Sequence, residues 1–132
     1  MDKVTDIRSY AFNGCTALST IYAPALTTLN YTYVFQSAGL KQATSAMFPL
    51  LTSITHNVFK NCAQLSSVNL PKVTYLGASA FEACTALTYL SVPAVTGVYT
   101  ENANVPTKGC TNLAFANFAA LTAIPRYLFT NL

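Results

Sequence analysis

Four cysteines, one histidine and four carboxylates are the side chains of this 132-residue protein that could carry covalent, acid–base or metal chemistry. Cys15, Cys62, Cys84 and Cys110 include no pair at the C-x-x-C spacing of a zinc or redox site. A Cys–His nucleophile needs thiolate and imidazole within hydrogen-bond reach and a third group to orient the base. His56, between Ile54 and Phe59, has no acid close to it in sequence. Asp2, Asp6, Glu82 and Glu101 are scattered without a pairing motif, and no Gly-rich phosphate loop occurs. These spacings predict no catalytic, metal-binding or cofactor-binding residue. The chain reads as a non-enzyme.

Composition narrows the classes further. Charged residues make up 8 % and hydrophobic residues 52 %, against about 25 % charged in an ordinary soluble domain. That is too apolar for a disordered chain. A net charge of +3, spread over Lys3, Arg8, Lys41, Lys60, Lys72, Lys108 and Arg126 without a run, predicts no nucleic-acid partner. The apolar runs are shorter than the roughly 18 to 20 residues that cross a bilayer, so no membrane insertion is expected. The opening Met1-Asp2-Lys3-Val4-Thr5-Asp6 predicts no secretory signal within these residues. Asn30-Tyr31-Thr32 matches a glycosylation sequon, a pattern frequent by chance.

The elements that would position these side chains come from an internal repeat. Val73-Thr-Tyr-Leu76 is followed by Phe81, Cys84, Leu87, Leu90 and Pro93. Leu51-Thr-Ser-Ile54 leads to Phe59, Cys62, Leu65, Val68 and Pro71, and Val4-Thr-Asp-Ile7 leads to Phe12, Cys15, Leu18, Ile21 and Pro24. From Phe onward these three copies keep a step of three residues. The copy from Leu26 has Ala38 in place of Cys and Leu40 one residue early. The copy from Val95 has an insertion from Tyr99 to Thr107, and Leu121-Thr-Ala-Ile124 with Phe129 begins a last copy that stops at Leu132.

A period in the twenties with such aliphatic spacing predicts a leucine-rich-repeat solenoid, one coil per repeat. Stacked coils would bury Phe on Phe, Cys on Cys and Leu on Leu. Strands are expected at Thr20 to Ala23, Ser67 to Leu70, Tyr89 to Val92 and Phe115 to Phe118, each ended by its following Pro where one is present. The Ser-Ala-Phe-Glu-Ala-Cys stretch before Leu87 is expected to form a short helical turn. The cysteines read as a ladder of buried thiols. Cys62 with Cys84, or Cys84 with Cys110, would lie within bridging distance, about 4.8 Å between coils. Parallel side chains do not face one another, however, and Cys15 should stay unpaired.

The stretch Leu70 to Leu87, Leu-Pro-x-Val-x-x-Leu-Gly-x-x-Ala-Phe-x-x-Cys-x-x-Leu, closely resembles the BspA-like, or treponemal-type, leucine-rich repeat. The resemblance covers nearly the whole chain and weakens at 35–48 and 99–108. It implies a right-handed solenoid with parallel strands on the concave face and short helical turns or irregular structure elsewhere. It also implies a secreted or cell-surface protein that acts in adhesion or protein binding. The expected organisation is a single domain, 1–132, of about five to six coils, read as a fragment or uncapped array.

Strand faces of solenoids form extended binding surfaces. The outward positions are Thr20, Tyr22, Gln42, Thr44, Ser67, Asn69, Tyr89, Ser91, Phe115 and Asn117, an uncharged set that suits a protein or glycan ligand. The alternative is a structural unit that associates with itself end to end through exposed apolar columns. The insertion, with Gly97, Asn102, Asn104 and Pro106 in or beside it, is expected to form a mobile loop.

Overall fold

The computed structural model describes residues 1–101 and 103–130. Among the described residues eight short strands alternate between two parallel sheets. The first sheet runs β1 (Thr28–Leu29), β3 (Ser53–Ile54), β5 (Tyr75–Leu76), β7 (Gly97–Val98); the second runs β2 (Gln42–Thr44), β4 (Ser67–Asn69), β6 (Tyr89–Ser91), β8 (Phe115–Asn117). Each strand pairs with the one a full coil later, so the chain is a parallel solenoid, as its period requires. The strands of the second sheet lie where the repeat places them, except the outermost. Thr20 to Ala23 forms no strand; it is tied to the second coil at its ends, Lys41 N to Ser19 O and Ala23 N to Met47 O. The first sheet, built on the Val/Leu-Thr-x-Leu/Ile segments, was not among the expected strands.

The expected helical turns are absent: no described residue is helical. The reason lies in the backbone on either side of each column Phe. Tyr33 and Ser37, Asn57 and Asn61, Ser79 and Ala83 have φ between 53° and 60°, a left-handed conformation that no right-handed helix admits. These paired reversals turn alternate amides toward the next coil. Asn57, Phe59 and Asn61 donate to the carbonyls of Ala78, Ala80 and Glu82 at 2.9, 2.8 and 2.7 Å. Ser79, Phe81 and Ala83 repeat the pattern onto Asn104, Pro106 and Lys108 at 2.9, 2.8 and 2.8 Å. The coil therefore hands backbone hydrogen bonds to its neighbour on three sides.

That third ladder also corrects the reading of the insertion. Asn104 and Pro106 accept ladder bonds, and Val105, Pro106 and Thr107 are buried. The segment rejoins the stack by Asn104, with Thr107 standing at the Phe position of its coil; Asn102 lies outside the described residues. The short copy is accommodated differently. At Ala38-Gly39-Leu40 one residue is missing, and Gly39 passes so close to the first coil that a Cβ there would lie 1.9 Å from the Thr16 carbonyl oxygen. Only glycine fits such an approach.

Phe12, Phe35, Phe59 and Phe81 stack with centroids 5.3, 5.3 and 5.5 Å apart and planes within 10°. Beside them run the buried leucines Leu40, Leu65 and Leu87, and the inward strand residues Ala43, Val68 and Leu90. Charge follows the period too. Lys60, Glu82 and Lys108 occupy one phase on successive coils, with Glu82 3.1 Å from Lys60 and 3.9 Å from Lys108. Burial alone pushes the Glu82 carboxyl up, but a Ser79 hydrogen bond, a Lys60 hydrogen bond and the two ammonium charges together hold it below its ordinary range.

Two outcomes follow. Phe81→Ala, which removes the last ring of the column between Phe59 and the buried Thr107, should cost about 3 to 5 kcal/mol in chemical denaturation; a change near zero would contradict the stacking. Because the Glu82 carboxyl titrates lower when folded, its contribution is present above the unfolded value and is lost as pH falls below about 4.3. Glu82→Gln should therefore flatten the acid limb of a stability–pH curve and leave its alkaline side unchanged.

Candidate binding face

Strand alternation decides which side chains the second sheet presents. Ala43, Val68 and Leu90 face the core, so their neighbours on either side face outward. Register then sorts the outward residues into two rows. Gln42, Ser67, Tyr89 and Phe115 are consecutive partners in one; Thr44, Asn69, Ser91 and Asn117 are consecutive partners in the other. By repeat phase Thr20 extends the first row and Tyr22 the second. None of the ten is charged.

The most exposed apolar feature of this face is an aromatic pair at its C-terminal edge, on β6 and the edge strand β8. Tyr89 and Phe115 stack at 4.7 Å with planes 6° apart, 39 % and 47 % exposed. Parallel register places their Cα atoms one strand spacing apart, about 4.8 Å, and stacking is the arrangement two flat rings can take at that spacing. Ser67, next in the row, is small, so one face of the Tyr89 ring borders a shallow step. Tyr22 is exposed but belongs to the other row, three coils from Ser91, roughly 14 Å, and does not join the pair. Ser91 departs from the expected set: it is 6 % exposed, with its Oγ accepting from Asn117 Nδ2 at 3.4 Å. It supports the face from beneath. Thr20, Gln42 and Asn69 are exposed, and Thr44, Ser67 and Asn117 half-buried.

A second aromatic surface escaped the reading of the sequence. Tyr10 and Tyr33 stack at 5.1 Å, and the Arg8 guanidinium lies 4.8 Å from the Tyr31 ring centre while its Nε holds Asp6 at 2.7 Å. The signal was there: Tyr10 and Tyr33 share the position two before the column Phe. Both have positive φ, 63° and 60°, where Asn57 stands in the next coil.

The thiols have a definite structural task. Cys62, Cys84 and Cys110 are buried, and each Sγ donates to the column Phe carbonyl of the preceding coil: Phe35, Phe59 and Phe81, at 3.0, 3.1 and 3.1 Å. All four cysteines are free, and Cys15 is exposed. Burial pushes the Cys62 thiol up to about 12 and Cys110 to about 11, and carries Cys84 well above its ordinary value. Such thiols are poor nucleophiles. His56 is a backbone acceptor: its Nδ1 takes the Ala78 amide at 2.8 Å, and Tyr99 meets its ring edge-on at 5.4 Å. The buried Gly77 admits a close approach of the preceding coil, since a Cβ there would lie 2.5 Å from the Thr55 carbonyl carbon, 2.8 Å from His56 N and 2.9 Å from Nδ1. Among the described residues no group of three or more His, Cys, Asp or Glu is placed to hold a metal ion, and no helix is long and apolar enough to cross a membrane.

A family model described as the BspA type leucine rich repeat region matches the chain in six copies, spanning residues 1–104 and 31–132. Searches of curated proteins and of solved structures return no match.

Thiol labelling separates the structural cysteines from the exposed one. Between pH 7 and 9 (roughly the range of an unperturbed thiol) Cys62, Cys84 and Cys110 should form almost no thiolate. A disulfide reagent should titrate one group, Cys15, in the native protein and all four cysteines after denaturation. Mass spectrometry finding native-state label on Cys84 would contradict the buried ladder.

Proposed function

The chain belongs to the BspA-type leucine-rich-repeat family, and from that premise we propose that it is a non-enzymatic protein-binding module that engages its ligand on the outward face of the second sheet. The observation that carries this reading is the exposed Tyr89–Phe115 stack on β6 and the edge strand β8 of an uncharged strand face. Tyrosine is enriched at binding hot spots, and a face free of charge suits a protein or glycan surface better than an anionic polymer. Such a face is the working surface of an adhesion molecule, and we place the protein outside the cell or on its surface. The free Cys15 and the buried thiols do not require an oxidising compartment, so this placement rests on the family alone.

A second reading, end-to-end association of copies, draws support from the outer coils. Cys15 is exposed and Phe12 and Leu18 are half-buried at one end; Ile124 is 62 % exposed at the other. In this reading the strand face is only a sheet surface.

Panels of extracellular proteins and glycans, read by interferometry with light scattering on the same samples, test the two together. For a bound ligand, Tyr89→Ala or Phe115→Ala should weaken affinity by about tenfold, near 1 to 2 kcal/mol, with thermal unfolding almost unchanged. Binding should vary little with salt, unlike phosphate-directed contacts. Concentration-dependent mass growth unaffected by either substitution, without ligand binding, would favour association instead.

A further inference from the structure

The first sheet stops one coil early. By repeat phase, Leu121-Thr-Ala-Ile124 should lie on β7 as Val95-Thr-Gly-Val98 lies on β5, with Ala123 and Ile124 forming a ninth strand. No such pairing exists among the described residues. In its place is a cleft of about 420 Å³ lined by Thr96, Val98 and Thr100 on one side and Leu121, Thr122 and Pro125 on the other.

The separation is local. Just before it, Leu121 N donates to Phe118 O at 3.0 Å, as Val73 N does to Leu70 O and Val95 N to Val92 O, so the chain is on the coil template. Just after it, Leu128 is buried and its carbonyl accepts the Thr107 hydroxyl. A segment that leaves the stack between two docked points needs a cause within itself.

The ladder shows one. Each junction in the first sheet uses the amide that follows the strand: Thr55 N to Leu29 O at 3.0 Å, Gly77 N to Ile54 O at 2.8 Å, Tyr99 N to Leu76 O at 2.9 Å. The next residue in that series is Pro125, which has no N–H to give to Val98 O. A second link of earlier coils is also unmade. The amides of Thr52, Thr74 and Thr96 donate to the Thr27, Thr52 and Thr74 carbonyls at 2.8, 2.8 and 3.0 Å, whereas Thr122 N, their counterpart, makes no such bond to Thr96 O. Ile124 stays exposed where Ile54 and Leu76 are fully buried. We propose that Pro125 is a built-in strand stop: it holds residues 121–125 off β7 and keeps the cleft open. The first coil shows that a donor alone does not force pairing, since Val4 to Ile7 forms no strand on β1 although Asn30 carries an amide. There, unlike at Pro125, the unpaired residues are not bracketed on both sides by docked chain.

The test restores the donor. Pro125→Thr gives the position the residue type of Thr55, and Pro125→Ala supplies an amide with the smallest side chain. Amide exchange by NMR should show residue 125 protected in both variants and Thr122 slowed by at least about tenfold. A cross-strand Overhauser contact should appear between Gly97 and Ala123. Unprotected exchange at residue 125 in both variants would overturn the proposal, as would loss of folding in both. So would closure of the cleft on removing four residues between Tyr99 and Asn104 while Pro125 is kept, since the insertion would then be the cause.

Discussion

A chain with so few charges and such short strands is held by one requirement: each coil must pass its backbone hydrogen bonds to the coil beside it. Within a coil, strands of two or three residues cannot satisfy their own amides and carbonyls, and buried polar groups left unpaired are costly. Three parallel ladders answer this, two made of strands and one of residues alternating through left-handed backbone. The Phe column, the thiols and the threonine hydroxyls add side-chain links at the same spacing. Nothing in the molecule is independent of that pitch, including the stacked rings on its surface.

The side-chain links explain residue choices that hydrophobicity leaves arbitrary. A cysteine can fill an apolar rung and still donate weakly to a carbonyl that points into it. In the second coil Ala38 fills the rung without a donor. Threonines at the edges of the first sheet duplicate the backbone ladder with their hydroxyls, as Thr52, Thr55 and Thr74 do. Opposed charges line up once, at Lys60, Glu82 and Lys108, where identical charges on successive coils would repel.

Periodicity made the coil phase, the buried columns and the strands of the second sheet legible in the sequence, because a repeat reports which residues must superpose. It did not report backbone sign. The turn around each Phe reads as helical from composition, and Ala83 or Tyr33 in left-handed conformation carries no local marker. The first sheet was missed for a related reason: strands such as Ser53–Ile54 and Tyr75–Leu76 are too short for alternation to register. On the outward face of the second sheet, outwardness was readable, but the depth of Ser91 depends on Asn117, a residue a full coil away.

Gly39 shows how such a fold can change length. The second coil lacks a residue, and the chain takes the shorter path only because nothing projects toward the Thr16 carbonyl. A deletion at that corner with any larger residue in place would thrust a side chain into the backbone of the first coil. Once the deletion stands, substitution of the glycine is closed off, while reinsertion of a residue is not. The corner is therefore one-sided in what it tolerates: it can lengthen, but at its present length it cannot carry a side chain at residue 39.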